Sequence, residues 1–403
     1  MIVNFIKEGK WAKMNRVNEL IKEYCPDGVE IRCLEDCCNL LDKKRKPITK
    51  AAREAGEYPY YGANGIQDYV ANYIFDGTFV LVGEDGSVIT KSGTPVVTWA
   101  EGKIWVNNHA HIIEEKDGVM LRYLYHYLQT IDVTSLIHGN IPKLTGGDFK
   151  ALKIAVPPLE VQREIVHILD SFTLLTAELT AELTARKKQY EFYRDKLLTF
   201  GNDTLECRLK DICDIFLGLT ATPNYTDAGV KFISAQNTSN DFLDLNNVKY
   251  ISETDFESTT SNAKPQRGDL LFTRVGSNLG HPVIVETDEK LCIFVSLGYL
   301  RVRNKKQVVI GYLKHWMNTD LFWSQVRKNV HGAAKVNLNT GWLKEFRISL
   351  PPLETQERIV HVLDNFEAIC TDLNIGLPAE IEARQKQYEY YRDKLLSFKE
   401  LPK

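Results

Sequence analysis

Nothing in the 403 residues approaches the ~20 consecutive apolar residues that a membrane span requires, and no secretory signal opens the chain. Three catalytic and nucleotide-binding signatures are missing as well: GxGxxG after a strand, GxxxxGK followed by Ser or Thr, and HExxH. The nearest glycine-rich piece, GEDGSVITKSG from Gly83, lacks phosphate-loop spacing. An excess of basic residues is absent too, with a net charge of -3 and a pI near 6.3. Overall charge therefore argues for no polyanion partner, although such binding needs only a local basic surface. The eight cysteines form no evenly spaced disulfide framework, four of them being crowded between Cys25 and Cys38. Cys33, Cys37 and Cys38 lack CxxC spacing and no second such group follows, so a zinc site is not expected; Cys207 and Cys213 read as buried small hydrophobes. His109 and His111 alternate without a supporting cluster and read as structural or polar residues. These absences point to a reduced, cytoplasmic, non-catalytic protein, with no metal site and no cofactor of its own.

Proline and glycine are also missing from Leu159 to Phe200, a stretch rich in Ala, Glu, Leu, Lys and Arg. Apolar residues at Ile165, Ile168, Phe172, Leu175 and Leu179, then at Tyr190, Tyr193 and Leu197, predict one long helix with coiled-coil spacing. Pro157-Pro158 marks its start and Gly201-Asn202 its stop.

The segment recurs. QYEFYRDKLLTF (Gln189–Phe200) and QYEYYRDKLLSF (Gln387–Phe398) share ten of twelve positions. PPLEVQREIVHILDSF from Pro157 matches PPLETQERIVHVLDNF from Pro351, 194 residues later, whereas the closing segments are 198 apart. The second copy thus carries four extra residues near Ile375-Gly376-Leu377-Pro378, where Gly376 and Pro378 predict a kink or break. Ile359, Val362, Phe366, Ile369 and Leu373, then Ile381, Tyr388, Tyr391 and Leu395, continue the apolar stripe. Weaker matches upstream, IRCLEDCCNLL with CRLKDICDIFL and His138-Gly139 with His331-Gly332, extend the repeat over roughly 30–200 and 206–398. A stripe of this length packs on its own domain or serves as a spacer, with the other copy as partner; the direction of pairing stays open.

Between the tails lie two blocks of mixed α/β character. Strands are predicted at Gly77–Val82, Pro95–Trp99 and Lys103–Asn107 in the first, and at Asp269–Thr273, Pro282–Val285, Leu291–Val295 and Leu300–Val302 in the second. Helices are predicted over Leu121–Leu128 and Gly311–Asn329. The resulting division is an N-terminal extension and short helix over 1–28, ordered from about Met14, then a first block over 29–156, a helical region over 157–200, a second block over 201–350 and a final helical region over 351–403.

Both blocks mix basic residues with amides and aromatics. A charge cluster can be no more than a solvated face, but Lys, Arg, Asn, Gln and Ser are also what a duplex needs, lysines for phosphates and the others for base edges. The candidate DNA contacts are Lys43, Lys44, Arg45, Lys46, Tyr60, Tyr61, Asn64, Lys91 and Lys143 in the first block, and Gln236, Asn237, Arg274, Ser277, Asn278 and Lys335 in the second. Candidate seam or partner residues are Ile165, Leu169, Phe172, Tyr190, Tyr193, Leu197, Ile359, Val362, Phe366, Tyr388, Tyr391 and Leu395.

The proline pair followed by LExQ, the helix behind it and the closing QYExYRDKLLxF resemble the DNA-specificity subunits of type I restriction-modification systems, as does the opening MNRVNELIKEYCPDGVE from Met14. The resemblance covers Met14 to Phe398. It implies two α/β target-recognition domains separated by two long helices that pair as an antiparallel coiled coil, in a pseudo-two-fold tandem repeat. It further implies that each domain reads one half of an asymmetric bipartite double-stranded DNA sequence, with the helices spacing the halves. Two modification subunits, which bind S-adenosylmethionine and methylate adenine, would dock on the helices, and restriction subunits using ATP and Mg2+ would join them. The residues matching the family's turn are Pro157, Pro158, Leu159, Glu160 and Gln162 with Pro351, Pro352, Leu353, Glu354 and Gln356. Those matching its helix ends are Tyr190, Tyr193, Arg194, Asp195 and Leu197 with Tyr388, Tyr391, Arg392, Asp393 and Leu395. An orphan DNA-binding protein of the same fold and a coiled-coil protein scaffold are the alternatives.

Overall fold

The computed structural model describes residues 16–201, 204–259, 261–276, 278–329 and 337–402; the segment before 16, the His331-Gly332 motif, Ser277 and Lys335 lie outside them. The chain divides into two units. One comprises the residues up to Glu178 together with those from Ile381 onward, and the other is Leu179–Glu380.

In the first unit a helix over 16–24 precedes strand Glu30–Cys33, which pairs antiparallel with Lys153–Val156. This pairing closes the block and delivers the chain to Pro157-Pro158, where the lost amide donors end the strand and the helix begins at Leu159. Inside the block is a six-stranded sheet in the order Asn39–Leu40, Ala110–Glu114, Phe75–Gly83, Val97–Val106, Ala55–Gly62, Gly65–Val70. It is antiparallel except where Ala55–Gly62 meets Val97–Val106. The apolar run GTFVLV is buried on both faces: Phe79 and Leu81 join one core with Phe75, Ile104 and Ile112, while Val80 and Val82 join another with Ile113, Leu121 and Leu124. Val97–Val106 is one strand where two were expected, because Gly102, at φ +79°, pairs directly across from Gly77 and keeps the ladder intact. Leu121–Leu128 is the helix read from the sequence.

The second unit repeats the closing pair with Leu205–Arg208 and Arg347–Leu350. Its block holds a four-stranded sheet, Cys213–Leu217, Leu297–Val302, Leu270–Thr273, Pro282–Ile284, and a three-stranded one, Lys249–Ile251, Val230–Ile233, Leu291–Ile293. The helix expected over 311–329 is two, Ile310–Met317 and Asp320–Asn329. The Thr319 hydroxyl accepts from the Phe322 amide at 3.3 Å and restarts the second.

The tails are helices Leu159–Leu197, Leu353–Thr371 and Leu377–Leu395. The break at 372–376 falls at the four extra residues. Asp372 Oδ1 accepts from the amides of Asn374 and Ile375, and a Cβ on Gly376 would lie 2.6 Å from the Asp372 carbonyl oxygen. In the first unit Phe172 stacks on Tyr391, ring centroids 5.2 Å apart, and Leu395 shares a core with Ile165 and Leu169. In the second unit Cys370 neighbours Lys187, Glu367 neighbours Tyr190 and Phe366 meets Tyr193, so numbers fall along one helix as they rise along the other and the pairing is antiparallel. The expected stripe on Leu353–Thr371 needs correction. Gln356, Ile359, Leu363 and Cys370 face inward, while Val362 is 42% exposed and Ile369 and Leu373 are also exposed. Tyr193 is likewise 42% exposed despite its contact with Phe366, so only part of the apolar periodicity marks the seam.

Candidate nucleic-acid interface

In the first unit several strand ends and loops converge. The Glu84 amide donates to the His109 carbonyl, Gly86 to Pro142, and Leu144 to Glu84, joining the loops after Phe75–Gly83, before Ala110–Glu114 and around 140–144. Arg45 enters this group from the basic loop and is fully engaged: Nη1 donates to Glu84 Oε2 at 2.6 Å and to the Ala110 carbonyl at 2.8 Å, and Nε to the Asp42 carbonyl. Arg45 is a half-buried strut, not a free cation. Lys143, half exposed, shares Glu84 at 3.3 Å. Lys43, Lys44 and Lys46 stand exposed on the same loop, and among the described residues they have no ion pair. Asn64 is exposed at the tip of the hairpin Gly62–Gly65, beside this cluster: Gly83 approaches the Ala63 carbonyl so closely that a Cβ would lie 2.9 Å from it. Tyr60 and Tyr61 need correction, since both are core residues; the Tyr60 hydroxyl bonds to Ile48 and its ring lies 4.2 Å under the Arg53 guanidinium. Lys91 lies on a separate turn, where Gly93 bonds to Val133. Gln67, on the strand that follows the hairpin tip, accepts from buried Asn107 at 3.3 Å.

The second unit gathers a comparable set. Gln236 is exposed on the turn Ala235–Thr238. Arg274, half-buried, donates from Nε to the Leu338 carbonyl, and Asn278 lies within 3.4 Å of the Ser239 carbonyl. The His281 ring bonds to the Asn240 carbonyl at 2.8 Å, fastening the loop around 274–281 to the one around 234–248. Asn237 is a correction: it is buried, accepts from the Ser234 amide and donates to the Asn247 carbonyl, and so shapes the loop from within. Tyr225, exposed beside this loop with the Lys249 ammonium 4.2 Å over its ring, was not singled out.

The motif residues have duplicated roles. Gln162, fully buried, donates to the carbonyls of Pro157 and Gly118 and accepts from the Met120 amide, 2.9 Å away. Gln356 does the same with Pro351, Gln307 and the Val309 amide. The glutamine of LExQ therefore ties the start of a tail helix to the start of the block's short helix. A second duplicated set was invisible in the sequence. His126, fully buried on Leu121–Leu128, has Nε2 2.8 Å from Asp170 Oδ1 and Nδ1 2.9 Å from the Tyr388 hydroxyl. His315, fully buried on Ile310–Met317, meets Asp364 at 2.7 Å and the Tyr190 hydroxyl at 3.1 Å. Burial holds His126 below the ordinary histidine range. Burial alone would raise the Asp170 carboxyl, but hydrogen bonds from His126 and Arg122 outweigh it and hold it low. Burial also pushes the Tyr190 and Tyr388 phenols well up.

Among the described residues, two groups have the donor composition of a metal site, Asp42–Glu84–His111 and His315–Asp364–Glu367. Their atoms already have protein partners: His111 bonds to Asp42 and the Leu144 carbonyl, Arg45 and Lys143 hold Glu84, and Lys314 pairs with Glu367 at 2.5 Å. Cys37 and Cys38 are buried thiols pushed up to about 11 and about 12 by that burial. Among the described residues no helix is long and apolar enough to cross a membrane.

Comparison with known proteins places these features. A family profile described as type I restriction modification DNA specificity domain matches twice, over residues 26–186 and 202–383. A candidate type I restriction enzyme specificity subunit of Haemophilus influenzae is 35% identical over 387 residues, spanning 92% of this chain and 96% of its own. A type I restriction enzyme specificity subunit of Escherichia coli is 31% identical over 70% of this chain and 72% of its own length. The crystal structure of the S subunit of a Mycoplasma genitalium type I system shares the fold, with a TM-score of 0.54 at 14% identity over 91% of this chain and 96% of that one. Two copies of the specificity domain, closed by the same strand pair and tied by the same buried glutamine, make this chain a member of the type I restriction-modification specificity subunits, the non-catalytic, sequence-specific DNA-binding component of such a complex.

Proposed function

We propose that the chain reads an asymmetric bipartite target, one half-site by the loop cluster of each unit, with an unread gap between the halves. The supporting observation is the contrast between scaffold and loops. The closing strands, the buried glutamines and the antiparallel tails are duplicated, whereas the polar loop residues differ: exposed Lys43, Lys44, Lys46 and Asn64 in one unit, exposed Gln236 with half-buried Arg274 and Asn278 in the other. Lysines would hold phosphates, Asn64, Gln236 and Asn278 suit an adenine edge, and Arg274 suits guanine. Apolar residues left exposed on the tails, among them Leu174, Phe192, Val362, Leu373 and Tyr390, would take two modification subunits. Those subunits would bring S-adenosylmethionine for adenine methylation, and restriction subunits would bring ATP and Mg2+ chemistry. The test is a methylome: the chain is expressed with its neighbouring modification subunit in a methylation-deficient host and methyl-adenine is mapped by long-read sequencing. A split motif with an unread gap is expected. An unmethylated genome with a soluble complex would refute the reading.

A further inference from the structure

We propose that the two buried Tyr–His–Asp sets are register pins: Tyr388–His126–Asp170 and Tyr190–His315–Asp364 fix how far the paired helices can slide, and so make the length of the unread gap a discriminated quantity. The proposal rests on the bipartite reading and deepens it.

Each pin joins three segments: the block's short helix supplies the histidine, a tail of one repeat the aspartate, and a tail of the other repeat the tyrosine. His126 and Tyr388 are 262 residues apart in sequence. Both ring nitrogens are used in each pin. Nε2–H can donate to the carboxylate while Nδ1 accepts from the phenol, so both ring nitrogens are satisfied in one arrangement. The apolar seam alone would specify register poorly, because it is sparse. On Leu159–Leu197 the last buried residue is Phe172, and on Leu377–Leu395 the only buried side chains are Tyr388 and Leu395. Apolar residues that slip one turn meet other apolar residues. A buried phenol and imidazole displaced by one turn, about 5.4 Å, lose each other. Buried polar pairs of this kind are a known means of fixing helix register. One turn corresponds to more than one base-pair step of about 3.4 Å, so a slip would alter the accepted gap. The sets are duplicated in position as well as chemistry, which a single incidental core hydrogen bond would not be.

The experiment uses the full chain with its modification subunit. Once the methylome gives the wild-type motif, methylation rates are measured on duplexes carrying both half-sites with the gap shortened or lengthened by one and two base pairs. The double variant Tyr190→Phe/Tyr388→Phe, which removes only the two hydroxyls, is compared with wild type. His126→Gln is a second pin variant, and Phe172→Leu a seam control that perturbs packing and leaves the pins. The expected result is a tenfold or greater loss of discrimination against the altered gaps in the pin variants, with half-site preferences unchanged and the control keeping the wild-type profile. An unaltered gap profile in both pin variants, or an equal change in the control, would overturn the proposal while leaving the bipartite reading intact. A wild type that methylates no split motif would overturn both.

Discussion

Replacing Gln162 by leucine tests the reasoning about the shared motif most directly. The side chain is fully buried and makes three hydrogen bonds to backbone groups. Leucine fills the volume and satisfies none of them. The Pro157 carbonyl is buried and would pay a desolvation cost of ~1–3 kcal/mol, and the half-buried Met120 amide a similar or smaller one. Gly118 is exposed and can turn to water, so its carbonyl adds ~0.5 kcal/mol or less. The sum is about 3 kcal/mol. With a urea dependence of ~2 kcal/mol/M, the first unit's transition should move down by about 1.5 M. Hydrogen exchange gives the finer readout, since the Met120 amide should lose protection before its neighbours in Leu121–Leu128. Q162E keeps the shape but points oxygen at two carbonyls, so it should be at least as damaging. A shift below about 1 kcal/mol, or protection lost evenly across the unit, would refute the role assigned to this glutamine.

Three other outcomes are expected. Phe172→Ala should destabilise the first unit by ~3–5 kcal/mol, whereas Val362→Asp should leave thermal unfolding unchanged and weaken only co-purification with the modification subunit; equal unfolding shifts would contradict the inward face described. The folded His126 is depressed below the unfolded value, so the unfolded chain binds more protons and stability falls as pH drops through about 6.5; the depressed Asp170 adds a further loss only as pH falls below about 4. Urea midpoints of the first unit at pH 7.5 and 5.5 should therefore differ, and His126→Gln should flatten the difference. Gln236→Ala should relax one half-site alone, whereas Lys44→Ala should weaken binding across sequences and lower its salt dependence, a contrast readable by titration at two salt concentrations.

The duplicated tails were legible because helical periodicity and two near-identical segments are local signals. The strand runs around Gly77–Val82 and Leu291–Val295 were legible for the same reason, and Gly376 and Pro378 announced the break. What escaped was anything decided by a distant partner. Arg45 looks like a free cation until Glu84, 39 residues on, takes it. Tyr60 looks like a loop aromatic until Ile48 caps its hydroxyl. Apolar spacing on Leu353–Thr371 offered two adjacent stripes, and only the globular block, which covers Ile359 and Leu363, selects between them. His126 and His315 sit at matching places in helices that otherwise share little, and the tyrosine each one meets comes from the opposite repeat.

The exchange of tails also bears on synthesis. Leu179–Glu380 is contiguous, but the first unit needs Tyr388, Tyr391 and Leu395. A ribosome adding ~5–20 residues per second leaves the first unit without those side chains for tens of seconds after Glu178 has been made. Throughout that interval Phe172 lacks the Tyr391 ring that stacks on it and His126 lacks the Tyr388 hydroxyl, and the unit begun first is finished last. The nascent chain thus carries an apolar strip awaiting its own far end, a natural substrate for chaperones and a point where crowded polysomes could join the wrong chains.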